Sequence, residues 1–311
     1  MPYAKREGVR VHYEVEGHGP PLVLHHGLGG SLEAWRQLGY VAAVRDSYQV
    51  VLLDARGHGA SDKPHDRAAY GLRSHVADLL AILEALQLPK AHFFGYSMGG
   101  FIGFGLAKYA PERVESLVIG GAHPYADPSY VEAFGPLDGS DPEAFLTAFE
   151  SCVEEPIPQE FRPRILANDL RALTAAAAQP RPALDDVLPA MAMPCLLFVG
   201  EADRRHAAVE KCAKQIAHAT LVTIQGLGHL GTFVRSDVVL PHVVRFLAAQ
   251  RESHPGATRV RYGPSLRDEP GPGPGGIRRR VAAGSTAECV ASLERTDPWP
   301  EPVSILSGTV Q

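Results

Sequence analysis

The stretch Ala91-His92-Phe93-Phe94-Gly95-Tyr96-Ser97-Met98-Gly99-Gly100-Phe101-Ile102 decides the fold. A short apolar run reads as a buried strand, Gly-x-Ser-x-Gly follows without a gap, and an apolar stretch rich in small residues reads as a helix. A strand that turns straight into a helix forces the serine onto a strained corner. Its hydroxyl then stands above the sheet end, at the amino end of the helix. Gly95 and Gly99 remove side chains that would collide as the chain doubles back, and Gly100 lets the helix lie close to neighbouring strands. In a chain with 31 glycines such a pentapeptide arises by accident about 0.15 times at ordinary composition, so its surroundings must decide.

Those surroundings alternate. Upstream, residues 3 to 16 alternate with the two-residue period of a strand, as in Val9 to Val15, and Gly8 breaks them into the two strands of a hairpin. Leu22 to His25 and Tyr48 to Leu53 read as short buried strands. The first runs into His26-Gly27-Leu28-Gly29-Gly30, too glycine-rich for helix or strand, after which Ser31 is placed to cap a helix through Trp35 and Leu38. The second runs into the long turn Asp54 to Pro64. Val76, Leu79, Leu80, Leu83 and Leu86 make one helical stripe within residues 71 to 88. Downstream, Val114 to Ile119 is the next strand. Strands that alternate with helices through short loops predict a mostly parallel sheet covered on both faces, here with an antiparallel edge from the opening hairpin.

From His123 to Leu188 the rhythm fails. Prolines accumulate and helical fragments appear, among them Pro142 to Val153 and Phe161 to Ala178, so residues 123 to 188 read as a helical insertion between two strands. Alternation resumes with a strand in Pro194 to Gly200, a helix over about 206–217, a strand at Ala219 to Gln225 and a helix over 237–250. The expected core is therefore residues 1–122 and 189–252. After it, residues 253–311 carry a Gly-Pro run and Arg278-Arg279-Arg280 with little apolar periodicity, and a disordered tail is expected.

Composition narrows the partners. The chain has 311 residues, 45% hydrophobic and 21% charged, with a net charge of -5, which offers no basic field for nucleic acid. No apolar stretch approaches the ~20 residues that cross a bilayer, and the first eight residues do not read as a secretory signal, so a cytoplasmic location without membrane contact is expected. Cys152, Cys195, Cys212 and Cys289 show neither paired zinc spacing nor a disulfide framework and read as inert thiols. Oligomeric state is not legible here.

A serine hydroxyl needs a base within reach and a third group to orient that base. In sheet hydrolases with this elbow the chain order is Ser, acid, His, each at the carboxyl end of a strand. Asp203 follows the strand Leu196 to Val199 through Gly200-Glu201-Ala202, and His229 follows the strand Leu221 to Gln225 through Gly226-Leu227-Gly228. Glu201 comes two residues too early to compete. Adjacent His25 and His26 point apart on an extended chain with no third ligand placed, so no metal site is expected.

Taken together, residues 3 to 250 resemble the α/β-hydrolase fold family. His26-Gly27-Leu28-Gly29 is similar to that family's oxyanion loop, Asp54-Ala55-Arg56-Gly57-His58-Gly59 to its Asp-x-Arg-Gly-x-Gly turn, and Gly95 to Gly100 to its nucleophile elbow. The resemblance implies an eight-stranded sheet, with residues 123–188 as a lid. It further implies a cofactor-free serine hydrolase of carboxylic esters or lactones, like carboxylesterases and enol-lactonases, acting on a small molecule. Ser97, Asp203 and His229 would be catalytic, with the backbone N–H groups of Leu28 and Met98 as the oxyanion hole. His26, Trp35, Tyr96, Phe145 and Phe149 are possible pocket residues, while Asp54 and Arg56 read as turn-tying residues. Carbon–carbon bond hydrolases, hydroxynitrile lyases and cofactor-free haloperoxidases share the serine, and receptor proteins on this scaffold share the triad. The chain departs from the family in two places: Arg204-Arg205-His206 stands where a proline usually follows the acid, and Arg235-Ser236-Asp237 follows His229 where many members carry an acid and a proline.

Overall fold

A computed structural model describes residues 2–252; the tail expected over residues 253–311, and Cys289 with it, lies outside the described residues. Tyr3–Arg6 (β1) and Val9–Gly17 (β2) pair antiparallel. The turn between them holds Glu7 and Gly8 at φ of 50° and 83°, the positive values a two-residue hairpin turn demands. Pro21–His25 (β3), Gln49–Leu53 (β4), Ala91–Tyr96 (β5), Val114–Gly120 (β6), Cys195–Gly200 (β7) and Ala219–Ile224 (β8) complete one eight-stranded sheet in the order β1-β2-β4-β3-β5-β6-β7-β8. β2 meets β4 antiparallel, and every pairing from β4 to β8 is parallel.

Successive strand residues point to opposite faces, and two cores result. Val23, Phe93, Leu117, Ile119 and Leu197 join one core with Leu72–Ala85 (α3) and Met98–Tyr109 (α4). Leu22, Leu24, Phe94, Val118 and Leu196 join the other, with Leu32–Gln37 (α1) and Tyr40–Val44 (α2). The helix stripe is deepest at Val76, Leu79 and Leu83, while Leu80 and Leu86 lie at its margin. Ser31 precedes α1 but makes no capping hydrogen bond. The Leu32 N–H donates instead to Oδ1 of Asp54, reaching out of the β4 turn.

Between β6 and β7 the chain forms Ser129–Phe134 (α5), Pro142–Val153 (α6), Arg162–Leu166 (α7) and Leu170–Ala177 (α8), then a 3-10 turn over Asp185–Ala190. α6 begins where the sequence places it. Asp141 accepts from the Glu143 and Ala144 N–H groups, and Pro142 occupies the first turn, where its missing N–H costs nothing. The single helix expected over residues 161 to 178 is instead two. Asp169 accepts from the Ala172 N–H and so starts α8 afresh, which a carboxylate does better at a cap than within a helix. His206–Ala213 (α9), His229–Val234 (α10) and Ser236–Glu252 (α11) follow; α9 packs on the first core and α11 on the second. Among the described residues no helix is long and apolar enough to cross a membrane. Cys152, Cys195 and Cys212 are free and buried, and burial pushes the Cys195 and Cys212 thiols up to about 12, far from the thiolate a reactive cysteine needs.

Candidate active site

Ser97 is the corner between β5 and α4, at φ 54° and ψ −112°. A non-glycine residue at positive φ is strained, and the surroundings hold it there: its N–H donates to the Gly120 carbonyl at 2.8 Å on the neighbouring strand. The flanking glycines are obligatory. A Cβ at Gly95 would stand 2.3 Å from the Gly99 carbonyl oxygen, and one at Gly99 would stand 2.2 Å from that of His25. One at Gly100 would meet the Cβ of Ala122 at 2.8 Å, so this glycine sets how closely α4 lies on β6.

Above this corner the three residues expected from chain order meet. Oγ of Ser97 lies 2.9 Å from Nε2 of His229, and Nδ1 of His229 lies 2.7 Å from Oδ2 of Asp203. The Nδ1–H donates to the carboxylate, which leaves Nε2 free to accept from the serine hydroxyl. Burial pushes the imidazole down to about 4, with Arg205 adding to the effect and the Asp203 carboxylate opposing it, so the ring is neutral at pH 7. Burial alone would raise Asp203, but its bond to His229 and the Arg205 charge hold the carboxyl down to about 2. A charged acid therefore faces a neutral base.

The glycine-rich loop after β3 is held by neighbouring histidines. His26 donates from Nδ1 to the Gly27 carbonyl at 2.7 Å and accepts the Ala55 N–H at Nε2. His58 donates from Nδ1 to the Arg56 carbonyl and accepts the Gly29 N–H at 3.1 Å. Burial lowers His25 and His58 to about 3 and lowers His26 as well, so all three rings are neutral and each keeps one fixed tautomer. Within the same turn Asp54 accepts from the Leu32 and Ala60 N–H groups and from His12, and Arg56 forms a buried pair with Asp78 at 2.7 Å. Asp54 and Arg56 thus tie the loops together, as the sequence suggests. The N–H of Met98 is the first of α4, and neither it nor the Leu28 N–H donates to a protein acceptor among the described residues.

A cavity of about 440 Å³ opens over Ser97. Leu28, Phe149, Ile157, Phe161, Ile165 and Phe233 give it an apolar wall, and His26 and Tyr96 also line it. Two of the possible pocket aromatics do not. Trp35 is 0% exposed and lies behind Phe233, edge-on to it at 5.2 Å, while Phe145 is 0% exposed and packs against Phe134 one turn behind Phe149. Both belong to the core because each sits one layer back from the residue that faces the cavity.

Sequence reasoning misses several residues that hold the site. Arg205, in the place of the usual proline, donates its backbone N–H and a guanidinium nitrogen to Oδ1 of Asp203, at 3.0 and 3.2 Å, and reaches the Tyr130 hydroxyl and Cys152 carbonyl in the inserted helices. Arg204 bonds the same Cys152 carbonyl and Asp127. Glu155 accepts from the Leu230 and Gly231 N–H groups at 2.7 and 3.3 Å, closing the amino end of α10 directly beyond His229. Gly121, at φ 57°, has no side chain because a Cβ would stand 2.9 Å from the His229 ring. The arginine pair is visible in the sequence as a departure from the usual proline. Glu155 gives no such signal, because its partners lie 75 residues away.

Comparison with known proteins agrees with this geometry. Residues 20–165 match the model of the alpha/beta hydrolase fold family. A crystal structure of a hydrolase from Pseudomonas aeruginosa PA01 superposes with a TM-score of 0.70 at 28% identity, over 79% of this chain and 97% of that one. The enol-lactonase from Burkholderia xenovorans LB400 gives 0.67 at 26%, over 79% and 100%. Among curated relatives, 3-oxoadipate enol-lactonase 2 of Acinetobacter baylyi is 39% identical over 100 residues, 32% of this chain and 36% of that protein. Two further curated relatives are matched over 65% and 53% of their own length, so the chain aligns with between about a third and two thirds of each of the three. With the strand order, the elbow and the matched family model in agreement, the chain has the α/β-hydrolase fold.

Proposed function

We propose that the protein is a serine hydrolase of carboxylic esters or lactones, working through an acyl-enzyme on Ser97 and without a cofactor. The observation that carries this reading is the unbroken chain from Ser97 to His229 to Asp203, at 2.9 and 2.7 Å, under an apolar cavity. His229, neutral at pH 7, takes the serine proton as Oγ attacks the carbonyl and later delivers it to the leaving alcohol, while Asp203 stabilises the imidazolium in between. The negative oxygen is met by the N–H groups of Leu28 and Met98, where one donor is worth about 3 kcal/mol in the transition state. The helices between β6 and β7 act as a lid, since Phe149, Ile157, Phe161 and Ile165 from this segment form the cavity's far wall. The enol-lactonase names among the similar proteins support the same bond class.

The test is a panel of p-nitrophenyl esters and simple lactones with wild type and Ser97→Ala. Turnover that falls by about 10⁴-fold or more in the variant, with a serine-directed fluorophosphonate adding its mass to Ser97 in the wild type, is the expected result. A wild type that hydrolyses no member at enzymatic rates, or a variant that keeps its rate, sinks the proposal.

A further inference from the structure

Ser97 follows β5 and His229 follows β8, and in the sheet β6 and β7 lie between those strands, a separation of about 14 Å at ~4.8 Å per strand. One side chain crosses that gap. Tyr96, the last residue of β5, directly precedes Ser97, and the two-residue strand period sends it with Phe94 into the second core, where it is 4% exposed. Its hydroxyl donates to the His229 carbonyl at 2.5 Å, and its ring lies 5.3 Å from the imidazole and stacks on Phe233 at 4.8 Å. Glycine clears the path. A Cβ at Gly120 would stand 2.5 Å from Cδ2 of Tyr96, and one at Gly121 would stand 3.1 Å from its Cζ, so the end of β6 is bare where the tyrosine passes. Burial, with the Asp203 charge adding to it, holds the phenol well above its ordinary value, and the hydroxyl stays a donor throughout the neutral range.

A core tyrosine needs only some acceptor for its hydroxyl. This one takes the main chain of His229, so the strand that sets Ser97 at its corner also sets where the imidazole stands. The other contacts leave that link open: Asp203 fixes the Nδ1 edge of the ring, and Glu155 holds the N–H groups of the two residues that follow. Proton transfer tolerates little drift, since a displacement of about 1 Å costs about 10²-fold in rate. We propose that Tyr96 is a positioning residue, whose hydroxyl registers the His229 main chain to the nucleophile elbow and so maintains the 2.9 Å contact between Oγ and Nε2. This deepens the hydrolase reading and rests on it.

The experiment compares wild type, Tyr96→Phe and a chain with 4-aminophenylalanine at position 96, by p-nitrophenyl acetate kinetics from pH 4 to 8, fluorophosphonate labelling of Ser97 and melting curves. Tyr96→Phe keeps the ring, and with it the cavity wall, but loses the donor. Its kcat and labelling rate should fall about 5- to 10-fold at unchanged KM, the scale of one hydrogen bond, with a native melt. The acid limb should stay where it is in wild type, because the ring still keeps water from His229; loosening that wets the imidazole would carry the limb towards 6.5. The aminophenylalanine chain, which offers an N–H donor in the same place, should recover most of the loss. Unchanged rates in Tyr96→Phe, an effect confined to KM, a limb that climbs, or a non-native melt each overturns the assignment, as does an aminophenylalanine chain no faster than Tyr96→Phe. Labelling keeps the two claims apart. A wild type that labels, more slowly in Tyr96→Phe, yet turns over no ester or lactone keeps the register and sinks the hydrolase. Ester turnover and labelling that ignore the substitution do the reverse, and a wild type that neither labels nor turns over sinks both.

Discussion

Removing Arg205 should move the acid limb of the pH profile. The imidazolium form of His229 is disfavoured by the Arg205 cation, which reaches it through Asp203: 3.2 Å from guanidinium to carboxylate and 2.7 Å from carboxylate to ring. That chain sets the two charges about 8 Å apart at most, and at an effective dielectric of about 20 their repulsion is about 2 kcal/mol, or about 1.5 pH units. The sign follows from the role proposed for His229 as the base. kcat/KM rises as His229 loses its proton, so deleting a nearby cation raises the pH at which activity appears. For Arg205→Met the limb should climb by about one to 1.5 units from its wild-type position near 4, whereas Arg205→Lys, which keeps the charge, should hold it in place. The assay is kcat/KM for a neutral ester from pH 4 to 8 in short incubations, with a melting curve to confirm the fold. A limb that stays put in Arg205→Met, or moves equally in both variants, refutes the electrostatic coupling.

Gly99→Ala forces a Cβ to 2.2 Å from the His25 carbonyl oxygen, so soluble expression or melting temperature should collapse by the equivalent of about 3 kcal/mol or more; a native melt would contradict it. Glu155→Ala leaves the Leu230 and Gly231 N–H groups without their acceptor, and about 1–2 kcal/mol of stability should go together with a several-fold drop in kcat at unchanged KM. His25, His58, His123 and His229 are held to about 3, 3, 4 and 4 when folded, against about 6.5 when unfolded. Their contribution to stability is thus fully present above pH 6.5 and is lost as the unfolded chain takes up protons towards pH 4. On the order of 5 kcal/mol should disappear between pH 6.5 and 5, which denaturant melts at the two values will measure, and equal midpoints would disprove it.

What could be read from the sequence was what is encoded locally. Gly95, Ser97, Gly99 and Gly100 form one continuous signal, because a strand–elbow–helix corner requires its glycines within a few residues of the nucleophile. Asp203 and His229 were found by their place after strands, since parallel strands bring all their carboxyl ends to one edge of the sheet. The reading failed where the deciding partner is distant. Ser31 looks like a helix cap, yet Asp54 supplies the acceptor from 22 residues away. Gly226-Leu227-Gly228 looks like a loop that delivers a histidine, whereas His229 opens a helix that Glu155 completes from the insertion. Trp35 and Phe145 read as possible pocket residues and belong to the core, because an aromatic residue reveals that it will be buried, not which side of a wall it will face.

The same distance effect changes what the insertion does. Each of the three loops that meet at Ser97 is bonded to it: the acid loop through Arg204 and Arg205 to the Cys152 carbonyl, the histidine loop through Glu155, and the glycine-rich loop through Asn168, which donates to the Gly29 carbonyl at 3.2 Å. A wall that only shaped the substrate would leave the Ser97–His229–Asp203 distances untouched when altered. Here the segment that lines the cavity also fixes the loops that carry Asp203, His229 and the Leu28 N–H, so in the proposed hydrolase substrate range and catalytic geometry are coupled through one set of hydrogen bonds. Mutations that widen the cavity at Phe161 or Ile165 should therefore move KM alone, because neither side chain is one of these tethers, whereas changes at Glu155, Asn168 or Arg205 should move kcat even for the smallest ester. A panel in which both groups of variants shift only KM would mean that the loops hold their geometry without the insertion.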